Sequence, residues 1–334
     1  MDLFHRRQLI KQTIMPSFNH VFMVFGHDEE NERALDGMMV DLLWTRSCQG
    51  QVRQGRRLVA KKRLDASFNM GGLNMDKTAQ LVDGLLLNML KRLHDQSQLP
   101  EDKRIFFYHT IDSLLVRLGA PNLEELFRLG GSRTWGELGD RVRVRHPFAS
   151  QMFGSMAKLM ELNENSGEGW LTAPLAGHSS SPPIFRISVA ESLLLEQEGL
   201  LFVGQLFKTD DLTGRPLVGE NREYGAGVPT PIGNKCRLLR SRLNAQGKRI
   251  QDMPGGSFGQ ITKNAKLSQL YRHMHRAQVD SMMPGPPAYF TRRRDGIPVP
   301  PLMDFMKGYS NLFKLNIPSK TLEASFLLLN RQTW

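Results

Sequence analysis

Apolar residues recur along much of this chain at spacings of three and four, with polar residues filling the positions between. In ERALDGMMVDLLW, Leu35, Met38, Met39, Leu42 and Leu43 fall at i, i+3, i+4, i+7 and i+8, the repeat of an amphipathic helix. Leu81, Val82, Leu85, Met89, Leu90 and Leu93 give a second stripe, and Phe107, Ile111, Leu114, Leu115 and Leu118 a third. The third stops at Gly119 with Pro121 beyond, as a helix does when its last carbonyls turn outward. Asn122 and Glu125 then read as an N-cap and its reciprocal partner, opening a short helix that ends near Gly130.

Residues 131–187 break the pattern. GGS, ENSGEG and AGHSSSPP surround one helical patch, Met152 to Leu162, and this composition predicts a loose connector. Periodicity returns at Ser188, where SVAE spells a capping box leading into LLLEQEG, and LFVGQLF follows as a short helix or turn. Ile232, Cys236, Leu239 and Leu243 stripe the next helix, and Leu267, Leu270, Tyr271 and Met274 another. Leu302, Phe305, Met306, Tyr309, Leu312 and Phe313 keep helical spacing, and KTLEASFLLLNRQTW predicts a last helix. Period-two alternation is scarce and no repeat of 20–50 residues occurs. The expected fold is mainly α: a helical module over 1–95, a connector over 96–187 and a second helical module over 188–334.

Charge alters this picture because of where it lies. The net charge is +11, yet residues 232–334 carry 17 Lys/Arg against 5 Asp/Glu, while the first 231 residues carry 27 against 28. A basic end on a nearly neutral chain points to a polyanionic partner, above all nucleic acid. The two cysteines, Cys48 and Cys236, stand far apart without a CxxC spacing, which argues against a disulfide framework or a cysteine zinc site. The N-terminus has no continuous apolar core of a signal peptide, and no apolar run is long enough to cross a membrane. An intracellular setting, nuclear or cytoplasmic, is expected rather than secretion. The 17 methionines fall mainly on the helical stripes, where a pliable core is the first reading.

Candidate chemistry is sparse. Asp210 and Asp211 are adjacent, but KTDDLTG spells a solvent turn rather than the rigid strand a two-metal site needs. His273 and His275, at i and i+2 on a helix, point to different faces and make a poor zinc pair. The glycine-rich GVPTPIGNK and PGGSFGQ do not match a phosphate-cradling loop, which needs a lysine followed by Ser or Thr before a helix. No catalytic residue, metal site or cofactor is expected.

The cations are better organised. Arg53, Arg56, Arg57, Lys61, Lys62 and Arg63 form a run that no acid interrupts from Gly50 to Leu64, and Gly71-Gly72 then predicts a corner. Lys235, Arg237, Arg240, Arg242, Lys263 and Lys266 flank the late apolar stripes. Such cations contact phosphates without reading sequence. Arg292-Arg293-Arg294 could be a nuclear-import patch, a phosphate clamp or a solvated loop. The alternative function is a helical scaffold whose Met- and Leu-rich faces dock a protein.

One ordered set of segments resembles a known family. KQTIMPSFNHVF, LDGMMVDLLW and RRLVAKKRLDASFNMGGLNM, followed by a Leu-rich helix, resemble the thumb of LINE-type (non-LTR) retrotransposon reverse transcriptases. The matching positions are Trp44, Val59-Ala60, Arg63 and Gly71-Gly72-Leu73. LLLEQEGLLFVGQLFKTDDLTGRPL, with Gly204, Leu206 and Phe207 in register, and LNRQTW resemble segments downstream of that thumb. The family's palm, with its aromatic-Ala-Asp-Asp turn, its fingers and its Cys/His knuckle have no counterpart here. The resemblance therefore implies a post-palm, non-catalytic part of an RNA-directed DNA polymerase polypeptide, inactive as a polymerase alone. Its implied partners are the backbone of an RNA template and DNA primer, and the palm itself. In that reading the Arg53–Arg63 run grips the duplex and Gly71-Gly72 aims it.

Overall fold

The computed structural model describes residues 2–48, 51–54, 63–166, 169–181, 186–212, 216–223, 227–246, 266–282, 302–315 and 317–329. The fold is mainly α. In chain order the helices are α1 (Leu3–Leu9), α2 (Met15–Ser17), α3 (Asn19–Phe25), α4 (Glu29–Trp44), α5 (Thr78–Ser97), α6 (Phe106–Arg117), α7 (Leu123–Leu129) and α8 (Ser132–Val142). They continue with α9 (Pro147–Asn165), α10 (Gly169–Thr172), α11 (Val189–Glu196), α12 (Thr230–Ala245), α13 (Leu267–Ser281), α14 (Leu302–Lys314) and α15 (Ser319–Leu329). Strands among the described residues form two antiparallel ribbons, β1 (Thr45–Cys48) with β2 (Gln51–Gln54) and β3 (Phe207–Thr209) with β4 (Pro216–Asn221).

The chain divides into two compact units, residues 1–82 with 275–334 and residues 83–274, and the divisions fall within α5 and α13. This corrects the expected boundaries at 95 and 187: the two chain ends build one unit together.

In the first unit, α4 is opened by Asp28, whose carboxylate accepts from the amides of Glu30 and Asn31. Leu35, Met39 and Leu43 of its stripe are buried, while Met38 is 61% exposed. Helices over residues 3–25 were not read from the sequence, and a π turn at Ile10–Ile14 explains why. It inserts an extra residue, so although Leu3 and Ile10, and Met15 and Phe22, stand seven apart as on a helix face, the step of five from Ile10 to Met15 breaks the stripe. The core is aromatic: Phe4 meets Phe313 edge-on at 5.5 Å and Phe326 at 5.6 Å, and Phe68 lies 4.3 Å from Phe313.

The second unit corrects the expected connector. α8 and α9 form an antiparallel hairpin around Trp135, which is fully buried against Phe127 and Phe153 at 5.5 and 5.7 Å. A further core joins Trp170, Leu175, Val203 and Phe207 to the α12 stripe Ile232, Cys236, Leu239 and Leu243, each 5% exposed or less. The glycines that read as flexible are there for close approach. A Cβ on Gly131 would stand 2.2 Å from the Ala176 carbonyl oxygen, and one on Gly177, at φ +60°, would meet Thr134 Oγ1 at 2.2 Å. One buried carboxylate gathers several polar groups of this stretch. Buried Glu164 accepts from Ser132 N at 2.9 Å, Ser132 Oγ at 2.8 Å and Ser179 N at 2.8 Å. The capping box read at Ser188 and Glu191 is present in full, whereas at α7 only the N-cap half forms: Asn122 accepts from the Glu125 amide, and the Glu125 side chain does not reach back.

Candidate nucleic-acid interface

The glycine corner follows the 3-10 turn Phe68–Met70, where Gly71 takes φ +74°. Space demands glycine here as strongly as conformation does. A Cβ on Gly71 would meet the Tyr309 ring at 2.6 Å, and one on Gly72 would meet the Ala66 carbonyl oxygen at 2.1 Å. Arg63 donates to the Met70 carbonyl at 3.0 Å, bracing the corner from inside. Burial holds its guanidinium below the ordinary range. Arg63 is thus half-buried at the corner.

Beyond the corner, Arg7 and Lys11 donate to the carbonyls of Leu73 and Asn74, and Lys11 and Arg276 lie 3.4 and 2.8 Å from Asp76. Burial lowers the pKa of both Arg7 and Lys11, and Asp76 offsets part of that effect. These three cations hold α1, the π turn and α13 to one segment of chain. Lys77 pairs with Asp65 beside them, so the site is balanced rather than strongly positive.

Of the remaining early run, Arg53 lies on β2 opposite Arg46 in the ribbon register, and Arg56, Arg57, Lys61 and Lys62 lie outside the described residues. Among the late cations, Arg237 and Arg242 are exposed on the face of α12 opposite its buried stripe, and Lys266 is exposed just before α13. Arg237 is held by Asn234 within its own helix. Lys235 pairs with Glu191, tying α12 to the start of α11. Arg240 is a correction. It is 6% exposed and donates to the Leu206 carbonyl at 3.4 Å, because its position beside Leu239 and after Cys236 turns it to the core. Lys263 and Arg292–Arg294 lie outside the described residues.

The densest exposed cations among the described residues were not singled out from the sequence. The end of α8 and the turn before α9 read RVRVRH, residues 141–146, and Arg141, Arg143, Arg145 and His146 are all exposed. None of the three arginine side chains has a hydrogen-bond or ion-pair partner among the described residues. Val142 is buried at 2% and Ala149 at 4%, so the turn is anchored on both sides while its tip, Val144, is 95% exposed. Three unpaired guanidinium groups on an anchored turn, five residues end to end, suit a phosphate chain.

Asp210 and Asp211 sit in the turn between β3 and β4, where Asp210 accepts from the Leu212 amide at 2.9 Å. His273 is exposed, while His275 is half-buried against Gln80 Nε2 at 3.1 Å. No three His, Cys, Asp or Glu side chains gather as a metal site among the described residues, and no described helix is long and apolar enough to cross a membrane. No family model, no curated protein and no solved structure matches this chain.

Proposed function

We propose that this chain is a nucleic-acid-binding, non-catalytic part of a reverse-transcriptase-like polypeptide of the non-LTR class, gripping the sugar–phosphate backbone without reading sequence. The observation that carries the reading is the end of α8 and the turn after it, with Arg141, Arg143 and Arg145 exposed and without a partner among the described residues. The exposed face of α12, with Arg237 and Arg242, and Lys266 add cations on the same unit. The ordered resemblance to thumb and downstream segments supplies the biological setting.

Salt tests it. If these six cations each neutralise a phosphate, log affinity for a labelled RNA–DNA duplex falls against log salt with a slope of roughly −5. The expected loss between about 50 and 200 mM salt is three orders of magnitude. The double substitution Arg143→Ala, Arg145→Ala should flatten the slope by about 2. A duplex that stays unbound in dilute buffer, or a slope near zero, rejects the proposal.

A second reading, a scaffold that docks protein, has one observation in its favour. Phe18, Val21, Val24 and Phe25, on and just before α3, are 36, 38, 69 and 72% exposed. Docking on that apolar face would change little over the same salt range, so one titration separates the two readings.

A further inference from the structure

Within the second unit, the turn after α6, the start of α7, one face of α8 and the start of α11 enclose a groove of about 400 Å³. Its floor is apolar: Leu126, Leu138 and Val189 are 0, 5 and 4% exposed. Its walls are charged, with Glu125 from α7 and Glu137 and Arg141 from α8. Glu137 is engaged by Arg186. The Glu125 carboxylate and the Arg141 guanidinium have no partner among the described residues. The groove is thus of small-molecule size, with a greasy base, one free acceptor and one free donor fork.

Arg141 belongs to two features at once, since it lines the groove and begins the RVRVR run. A strand held at Arg143 and Arg145 therefore passes a cavity of nucleotide size. We infer that this groove receives one unstacked base of a bound strand, with Glu125 accepting hydrogen bonds from the base and Arg141 holding that nucleotide's phosphate. Unstacked bases are recognised in this way, by an apolar face and by hydrogen bonds along the Watson–Crick edge. A carboxylate accepts only, so it selects bases that donate. Guanine offers N1–H and the N2 amino group side by side and can engage both carboxylate oxygens. Uracil offers a single N–H between two carbonyls that repel the acceptor. The inferred preference is guanine over uracil. It rests on the proposed nucleic-acid reading but is tested apart from it.

The experiment is calorimetric titration of the full chain with GMP, guanosine and UMP, beside the duplex salt series on the same preparation. GMP should bind saturably and UMP at least about tenfold more weakly. Glu125→Gln should cost GMP about tenfold, since a charge-assisted pair is lost, and should narrow the gap to UMP. Arg141→Gln should bring GMP down to the affinity of guanosine. Both side chains lie at the rim, and circular dichroism of each variant checks that the helices persist. No saturable heat with GMP, or equal binding of GMP and UMP that Glu125→Gln leaves unmoved, overturns the inference. Should the duplex slope persist without GMP binding, the groove inference falls alone. Should GMP bind while the duplex does not, the backbone reading falls and the groove stands as a nucleotide site.

Discussion

Gly71 and Gly72 occupy positions where any side chain would collide with a neighbour. At Gly72 the obstacle is the Ala66 carbonyl, 2.1 Å from a Cβ, which cannot swing aside as a side chain would. Gly72→Ala should therefore cost about 3 kcal/mol in urea unfolding. Gly71→Ala meets a positive φ and the Tyr309 ring and should cost about 2 kcal/mol. A loss below about 0.5 kcal/mol at either position would mean that the corner relaxes freely. The pair was legible in the sequence because few structural needs call for two glycines beside a helix start. The RVRVRH turn was not, since its alternation is spelled like a strand and nothing local says that it turns a helix hairpin. Cys236 gives a residue-scale test of pH. Burial pushes its thiol from 9.0 up to about 12. The unfolded chain loses that proton first, so the folded state binds more protons between those values and stability falls as pH rises from about 9 to 12. In a Cys48→Ser background the thiol should resist a disulfide reagent at pH 8 until denaturant is added; immediate reaction would contradict the packing of α12.

Single carboxylates join whole elements in the second unit. Asp83 on α5 is 2% exposed and accepts from Ser155 Oγ at 2.6 Å and Lys158 Nζ at 2.9 Å on α9, and from Tyr271 Oη at 2.9 Å on α13. Burial, then the Asp83 charge, pushes the Tyr271 phenol up, so it stays a donor throughout the physiological range. Asp83→Ala strands a hydroxyl and a phenol in the core and should destabilise this unit by about 3 kcal/mol. Chemical unfolding followed by tryptophan fluorescence checks it, and a loss under about 1 kcal/mol would show the three helices held by apolar contacts alone. The helices themselves were legible where the stripe is regular, as in α4, α6 and α12. The middle stretch misled because its small and polar residues serve close packing. Gly131, Gly177 and Ser179 gather around Ala176, Thr134 and Glu164, and only the folded backbone reveals those partners.

At the scale of the molecule, the first unit is assembled from both ends of the chain, and no spacing within one stretch could have announced it. α14 and α15 supply Phe313 and Phe326, which pack on Phe4 and Phe68, and Tyr309, whose ring lies against Gly71, all from more than two hundred residues further along the chain. A helical stripe says that a face is buried; it does not say against what. Removing residues 302–334 would leave Phe4 and Phe68 without the rings they pack on and would open the space beside Gly71. Hydrogen exchange is the suitable measurement, because it reads opening segment by segment. In the shortened chain the amides of α1 and of the Leu73 to Met75 segment, which bond to Leu64 and Ala66, should lose protection. Those of α8 and α9 should keep it, since Trp135, Phe127 and Phe153 bury one another within residues 83–274. Unchanged protection in α1 would mean that the N-terminal helices stand without the C-terminal pair. The division into units would then have to be redrawn around the first 82 residues alone.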